Sequence, residues 1–226
     1  MRRRSKIVAG MASLAVVGGT ALTGLAGTSA SANSGYWRGT HLTAELDPVN
    51  DSGVTGHADV RFHYRKAKVE VDATGLLKGA PHAMHIHYGE QARHECPTVA
   101  DDANRDFRLN TAEGIPAYGP IRKSLTLRGD TSPASGLAVD RFPLARAGEI
   151  HYDRTHYFGN DALRQAIRSG EGVLVIHGVD HNNNGKYDFG GAGKSELDPS
   201  LPAEATDPAV CGVLRPEHSH SHSHAH

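Results

Sequence analysis

Apolar and polar residues alternate in short blocks along this chain. Residues 40–46 (THLTAEL), 58–64 (ADVRFHY), 68–73 (KVEVDA) and 124–128 (SLTLR) each send every second side chain to one face, as a half-buried strand does. Residues 172–177 (GVLVIH) form a continuous apolar run ending on a histidine, which suits a strand covered on both faces. Turn-forming clusters separate these blocks at residues 51–53 (DSG), 129–133 (GDTSP) and 180–185 (DHNNNG). One stretch, residues 160–168, reads as helical, with Asn160 as its N-cap and Gly170 as its stop. The pattern predicts an all-β domain, an antiparallel sandwich or barrel with one short helix. Residues 88–119 and 179–209 are too long and polar for hairpins, and loops of that length in a compact domain carry function or a metal.

The two ends of the chain read differently. Arg2, Arg3, Arg4 and Lys6 precede an apolar, Gly- and Ala-rich run that closes on Ala30-Ser31-Ala32, the layout of a cleaved secretory leader over residues 1–32. The β domain is then expected over residues 33–214, followed by a flexible tail, residues 215–226, in which His218, His220, His222, His224 and His226 alternate with small residues. Such a tract in an exported protein reads as loose metal capture. Losing the four leader cations and no acid takes the formal charge from −1 to about −5, which excludes a general nucleic-acid binder. No apolar stretch after the leader could span a membrane, so the expected product is secreted. The two cysteines, Cys96 and Cys211, most simply pair in an exported protein, with free thiols or a metal-bound cysteine as the alternatives.

Candidate chemistry concentrates in PHAMHIH, residues 81–87. If the segment is extended, His85 and His87 leave one face and Ile86 the other, and two imidazoles on a rigid face make half of a transition-metal site. A bare H-x-H pair can also be a polar strand face. His177 adds weight, because a polar side chain at the end of a buried strand requires a specific partner.

Residues 75–87 (GLLKGAPHAMHIH) resemble the histidine-bearing strand of copper/zinc superoxide dismutases, with one extra residue before His82 and Ala83 in place of a glycine. Cys96, the run 173–177 (VLVIH) and the closing 209–214 (AVCGVL) follow in the family's order, so the likeness spans about residues 40 to 214. A related likeness is to the CHRD domain, whose strands also carry H-I-H; the cysteine spacing and the C-G-V-L ending favour the dismutases. The resemblance implies a Greek-key β-sandwich or flattened barrel with two long loops. It also implies copper held by His85, His87 and His177, a Cys96–Cys211 bridge, and His82 as a histidine that orients the strand and loop behind the metal.

The chain departs from that family in its loops. Asp102 stands where the family has its metal-bridging histidine, and no histidine occurs between Cys96 and His151, so zinc in the family-type site is not expected. A fourth copper ligand would have to come from His94, His181 or the tail. The family's anion-steering arginine is replaced by Pro208, with Arg93 and Arg215 as possible substitutes. Two oxygen-rich loops suggest calcium instead: Asp102, Asn104, Asp106 and Glu113, and the better-formed Asp180, Asn182, Asn184 and Asp188 with Gly185 at the turn. Turn-forming Asn and Asp explain the same residues without a cation. The run 190–195 (GGAGKS) lacks the first glycine of a phosphate loop, and residues 151–156 read as an exposed strand face. Three functions follow: copper-dependent dismutation of superoxide, copper binding without catalysis, and a calcium-stabilised extracellular module. The expected partners are therefore superoxide or metal ions; no oligomeric state is implied.

Overall fold

The computed structural model describes residues 39–217. The segment read as a leader, residues 1–32, and the histidine tail from His218 onward lie outside the described residues.

Eight strands form one antiparallel curled sheet: β1 (His41–Pro48), β2 (Thr55–His63), β3 (Lys66–Thr74), β4 (Met84–His87), β5 (Ile121–Ser124), β6 (Glu149–Tyr157), β7 (Val173–His177) and β8 (Pro208–Val213). Their order is β5-β4-β7-β8-β1-β2-β3-β6, so β4 with β7, β8 with β1 and β3 with β6 are neighbours in space though not in sequence. A two-residue β9 (Arg215–Pro216) pairs with β1. Strand β1 belongs to both halves: residues 41–46 pair with β2, and Asp47 and Pro48 pair with β8. The sheet curls at that strand without closing, since β5 and β6 end the order. Its two halves fold face to face, with Leu42, Phe62 and Val71 from one meeting Ile86, Leu174 and Ile176 from the other in the main core.

Strand β7 is buried throughout, as its unbroken apolar run predicts. Leu174 and Ile176 point into the main core, while Val173 and Val175 point outward. There they pack with Val49, Leu109, Tyr118 and Cys211 in a second apolar cluster beneath the loop that follows β4. That loop is tied down twice. The Cys96–Cys211 disulfide spans a Cα separation of 5.7 Å. The Asn50 amide donates to the Leu109 carbonyl at 2.8 Å and accepts from the Leu109 N–H at 2.7 Å.

Three sequence expectations need correction. Besides α2 (Asp161–Ala166), begun by the Asn160 side chain accepting from Leu163 N–H, the described residues hold two further α-helices, α1 (Thr111–Tyr118) and the four-residue α3 (Phe189–Ala192). Gly114 and Pro116 disguise α1, yet Asn110 and Glu113 form a reciprocal capping box that starts it. Residues 125–128 leave the sheet. The Thr126 hydroxyl turns inward to donate to the Asp130 carbonyl at 2.9 Å, and Leu127 is left half-exposed. Residues 151–156 are not wholly an exposed face: even-numbered residues of β6 point inward, burying Tyr152 and His156, whose Nε2–H donates to the Tyr152 hydroxyl at 2.8 Å while that hydroxyl donates to the Thr126 carbonyl at 3.1 Å.

Candidate metal centre

The three histidines singled out by sequence meet on the outer face of the β5-β4-β7-β8 half. His85 and His87 stand opposite Val175 and Val173 on β7. His177 follows the Met84–Ile176 pair, with its N–H donating to the Ala83 carbonyl at 2.8 Å. The β4–β7 register is regular, but the β4–β5 ladder slips between Ile86 and His87 and the β7–β8 ladder between Ile176 and His177. Such irregularities beside a site re-aim side chains that a regular pleat would hold apart. The ring centroids of His85 and His177 lie 5.1 Å apart, those of His85 and His87 5.5 Å, and those of His87 and His177 6.0 Å.

All three side chains are almost fully buried, and each ring spends one nitrogen on a backbone carbonyl. His85 Nε2–H donates to Gly136 at 3.1 Å, His87 Nδ1–H to Gly119 at 2.8 Å and His177 Nδ1–H to Thr206 at 2.6 Å. A neutral imidazole that donates at one nitrogen carries a lone pair at the other. The nitrogens left over, His85 Nδ1, His87 Nε2 and His177 Nε2, are buried and have no hydrogen-bond partner. Buried polar atoms are nearly always paired, so three orphans in one place call for an explanation. One ring nitrogen from each histidine lies within 4.8 Å of the others, and this is the group of three potential ligands found among the described residues. Nitrogens bound to one ion at about 2 Å can be at most ~4 Å apart, so closing on a metal needs movement of under about an ångström.

Charge agrees with geometry. Burial, followed by mutual repulsion, holds the His85 imidazolium pKa well below its usual value; burial and His177 lower His87 to about 3, and burial lowers His177 to about 4. The rings are therefore neutral at physiological pH, the form in which imidazole binds a metal. Three imidazole lone pairs, with no thiolate or carboxylate among them, suit copper or zinc.

Residues around the triad hold it in place. Tyr118, from α1, packs on the His87 ring at a centroid distance of 4.5 Å and donates its hydroxyl to the Thr111 carbonyl at 3.0 Å. Phe142 meets His85 edge-on at 5.4 Å. Gly119 reaches His87 only through a backbone at φ +85°, and a Cβ there would lie 2.6 Å from Gly89 N. His82 Nδ1–H donates to the carbonyl of His177 at 2.8 Å, and the Tyr187 hydroxyl approaches the same ring at 3.1 Å. Gly178 admits that contact because a Cβ would stand 2.1 Å from the Tyr187 hydroxyl oxygen. His82 thus fastens the segment before β4 to the end of β7.

Other residues named from the sequence lie elsewhere. His94 stacks on Tyr88 and donates from Nε2 to the Gly89 carbonyl, and the His181 Nε2 pairs with Asp207 at 2.9 Å; neither joins the group of three. Arg93 pairs with Glu95 and Asp101, and Arg215 donates to Gly170. In the first oxygen-rich loop Asp102 accepts from the N–H groups of Arg105, Asp106 and Phe107, Asn104 from Asp106, and Glu113 from Ala103. In the second, Asp180 accepts from Asn184 and Gly185, Asn182 from Asn184, and Asp188 from Gly190. These bonds are the turn-forming work of Asn and Asp side chains.

Two participants gave no sequence signal: Glu204, fully buried, which accepts from His181 N–H and Asp188 N–H, and Asp207, fully buried, which accepts from Arg108 at 2.8 Å. Asp207 and Thr206 adjoin in sequence, so Arg108 and His181 anchor the carbonyl that orients His177.

A pocket of about 380 Å³ opens beside the triad, with His85 and His177 in its wall. Among the described residues, no Asp, Glu, Lys or Arg lines it.

No protein-family model matches the sequence, and no curated protein does. Among solved structures, the chain is similar to copper(II) superoxide dismutase 5 of Candida albicans, with 16% identity and a TM-score of 0.43 over 83% of this chain and 99% of that one. A mutant form of the same enzyme gives 16% identity and a TM-score of 0.39 over the same shares.

Proposed function

We propose that this protein is an exported copper protein in which His85, His87 and His177 hold one copper ion that reacts with superoxide. The observation that carries the reading is the set of three buried, neutral imidazoles, each fixed by a carbonyl at one nitrogen and left unpartnered at the other. Copper bound there would supply a centre that alternately accepts and donates one electron. The chain's own part is to fix the tautomers through Gly136, Gly119 and Thr206, to exclude water from the His87 side with Tyr118, and to leave His85 and His177 facing a pocket. The Cys96–Cys211 bridge supports an oxidising compartment, and no helix among the described residues is long and apolar enough to cross a membrane.

The uncharged pocket wall favours a second reading, copper holding without superoxide turnover. Electrostatic steering by a cationic funnel raises association rates by roughly 10–1000-fold, and no lining cation among the described residues supplies it here. Copper content and pulse radiolysis on the chain ended at Glu217 separate the two. The proposal expects one copper per chain, lost in His177→Ala, and turnover that is slow for such a centre and nearly independent of ionic strength. One copper with no turnover would establish the second reading. Unchanged copper binding by His177→Ala would refute both.

A further inference from the structure

Strand β9 is a short strap with few bonds of its own. Its register on β1 sets Arg215 against Thr43 and Pro216 against Leu42, and the Glu217 N–H donates to the His41 carbonyl at 2.9 Å. Pro216 has no N–H to give, so the backbone ladder that holds residues 215–217 is weak. Side chains on the outer face of the sheet supply the rest. His41 and Glu45 of β1 share that face with His57, Asp59 and Arg61 of β2, and the register sets His41 against Arg61 and Glu45 against His57.

These side chains join Glu217 in one continuous series of contacts. His41 Nδ1 meets a carboxylate oxygen of Glu217, and its Nε2 meets Asp59. His57 Nε2 meets the other Asp59 oxygen at 3.0 Å, and its Nδ1 meets Glu45 at 3.1 Å. The order is therefore Glu217–His41–Asp59–His57–Glu45. A carboxylate accepts but does not donate, and a neutral imidazole has one N–H and one lone pair. Each ring satisfies both of its neighbours as the imidazolium alone; a neutral ring turns a lone pair on one of its carboxylates. The His41 and Asp59 side chains are 28% and 20% exposed, so solvent screens their contact less than that of a fully exposed pair.

The other groups that face the series are themselves paired. Arg61 donates to Asp59 and to Glu70, each at 2.6 Å, and Glu70 also accepts from Lys68. Asp72 stands opposite His57 on β3 and pairs with His151 of β6. Arg168 donates to the Thr40 hydroxyl and Arg215 to the Gly170 carbonyl, so neither takes the place of His41 on Glu217.

We propose that His41 is a proton-operated latch for the C-terminal strap. As the imidazolium it ties Glu217 of β9 to Asp59 of β2; on losing its proton it lets residues 215–217 lift from β1. The latched state is the one that binds the extra proton, so it is favoured at mildly acidic pH, where the carboxylates stay ionised, and lost as pH rises through the imidazole range. The histidine tract begins at the next residue, His218, so the latch sets by pH how closely the root of that tract is held to the sheet. This goes beyond the copper reading and needs no metal.

The test is amide hydrogen exchange by NMR on the full chain, metal-free, at pH 5.5 and pH 8.0, with each rate referred to the intrinsic rate at that pH. Protection of the Glu217 amide should fall at least threefold from the lower pH to the higher. Glu217→Gln and His41→Gln each remove one side of the contact and should show the low protection at both pH values. His218→Ser takes away the nearest imidazole of the tract and should leave the response intact. Equal protection at both pH values in the parent chain, a response that persists in either Gln variant, or one abolished by His218→Ser overturns the proposal. Glu217 is exposed at the end of the strap, so its substitution keeps the test decisive if His41→Gln fails to fold.

Discussion

His87 shows how much of a metal site is decided by atoms that carry no sequence signal. The H-x-H spacing places His85 and His87 on one face of β4, and the buried run of β7 delivers His177 beside them. His85 and His87 are legible in the sequence because strand periodicity fixes which face a side chain takes, whereas His177 joins them only through the resemblance of residues 173–177 to the family's copper-histidine strand. The carbonyls that select each tautomer are not, since any residue owns a carbonyl and only the loop path brings it near. Gly119 is the most exposed to test. Gly119→Ala forces a side chain into a left-handed backbone and against Gly89, so the carbonyl that orients His87 must shift. The expected result is a loss of about 1–2 kcal/mol of stability with a copper affinity at least tenfold weaker, measured by denaturant titration and competition with a chelator. Unchanged copper affinity in a folded Gly119→Ala protein would remove the carbonyl from the account.

At the scale of elements, the strands were the easy part and the helices in the loops the hard part. Strands β1, β2, β3 and β7 follow from alternation or from a continuous apolar run. Helix α1 carries Gly114 and Pro116, both poor helix residues, so propensity argues against it. Its capping box and the burial of Tyr118 against His87 outweigh that. Asn110→Ala removes the cap and should cost about 1 kcal/mol, lowering Tm by roughly 2–4 °C. A larger loss would mean that α1 holds the loop over the triad more tightly than its cap alone implies. The link between the two loops is stronger. Arg108→Ala leaves the buried carboxylate of Asp207 with His181 as its remaining partner. Removing one partner of a fully buried pair costs roughly 3–5 kcal/mol, and because Arg108 is partly exposed the expected loss is nearer ~2 kcal/mol. The sequence could place neither group, because the ion pair joins residues 99 apart in a fold the loops themselves complete.

For the molecule as a whole, buried neutral histidines set the response to acid. His82, His85, His87, His156 and His177 all have lowered pKa values, chiefly through burial. The unfolded chain takes up protons at these positions near pH 6.5. Below that pH it binds more protons than the folded chain, so stability falls as pH falls from about 6.5 toward the folded values near 3 or 4. Each such histidine contributes a slope of about 1.4 kcal/mol per pH unit. The metal-free protein should therefore unfold above about pH 4, while many carboxylates are still ionised. A urea midpoint that stays flat from pH 7 to pH 5 would contradict this. The disulfide acts in the opposite direction at every pH. Closing a loop of 115 residues stabilises by about 4–5 kcal/mol in the loop-entropy picture, so reduction should lower the denaturation midpoint and free the loop that carries Tyr118 and Gly119. The β architecture, the bridge and the triad were all legible in order along the chain. What could not be read was the character of the pocket, because its wall is assembled from segments as distant as Pro81 and Leu201.

The most direct test of the central claim is diffraction from copper-soaked crystals at the copper absorption edge. The account predicts one anomalous peak per chain, about 2 Å from His85 Nδ1, His87 Nε2 and His177 Nε2. A peak bound to other atoms, or none among these three rings at full copper loading, would contradict it.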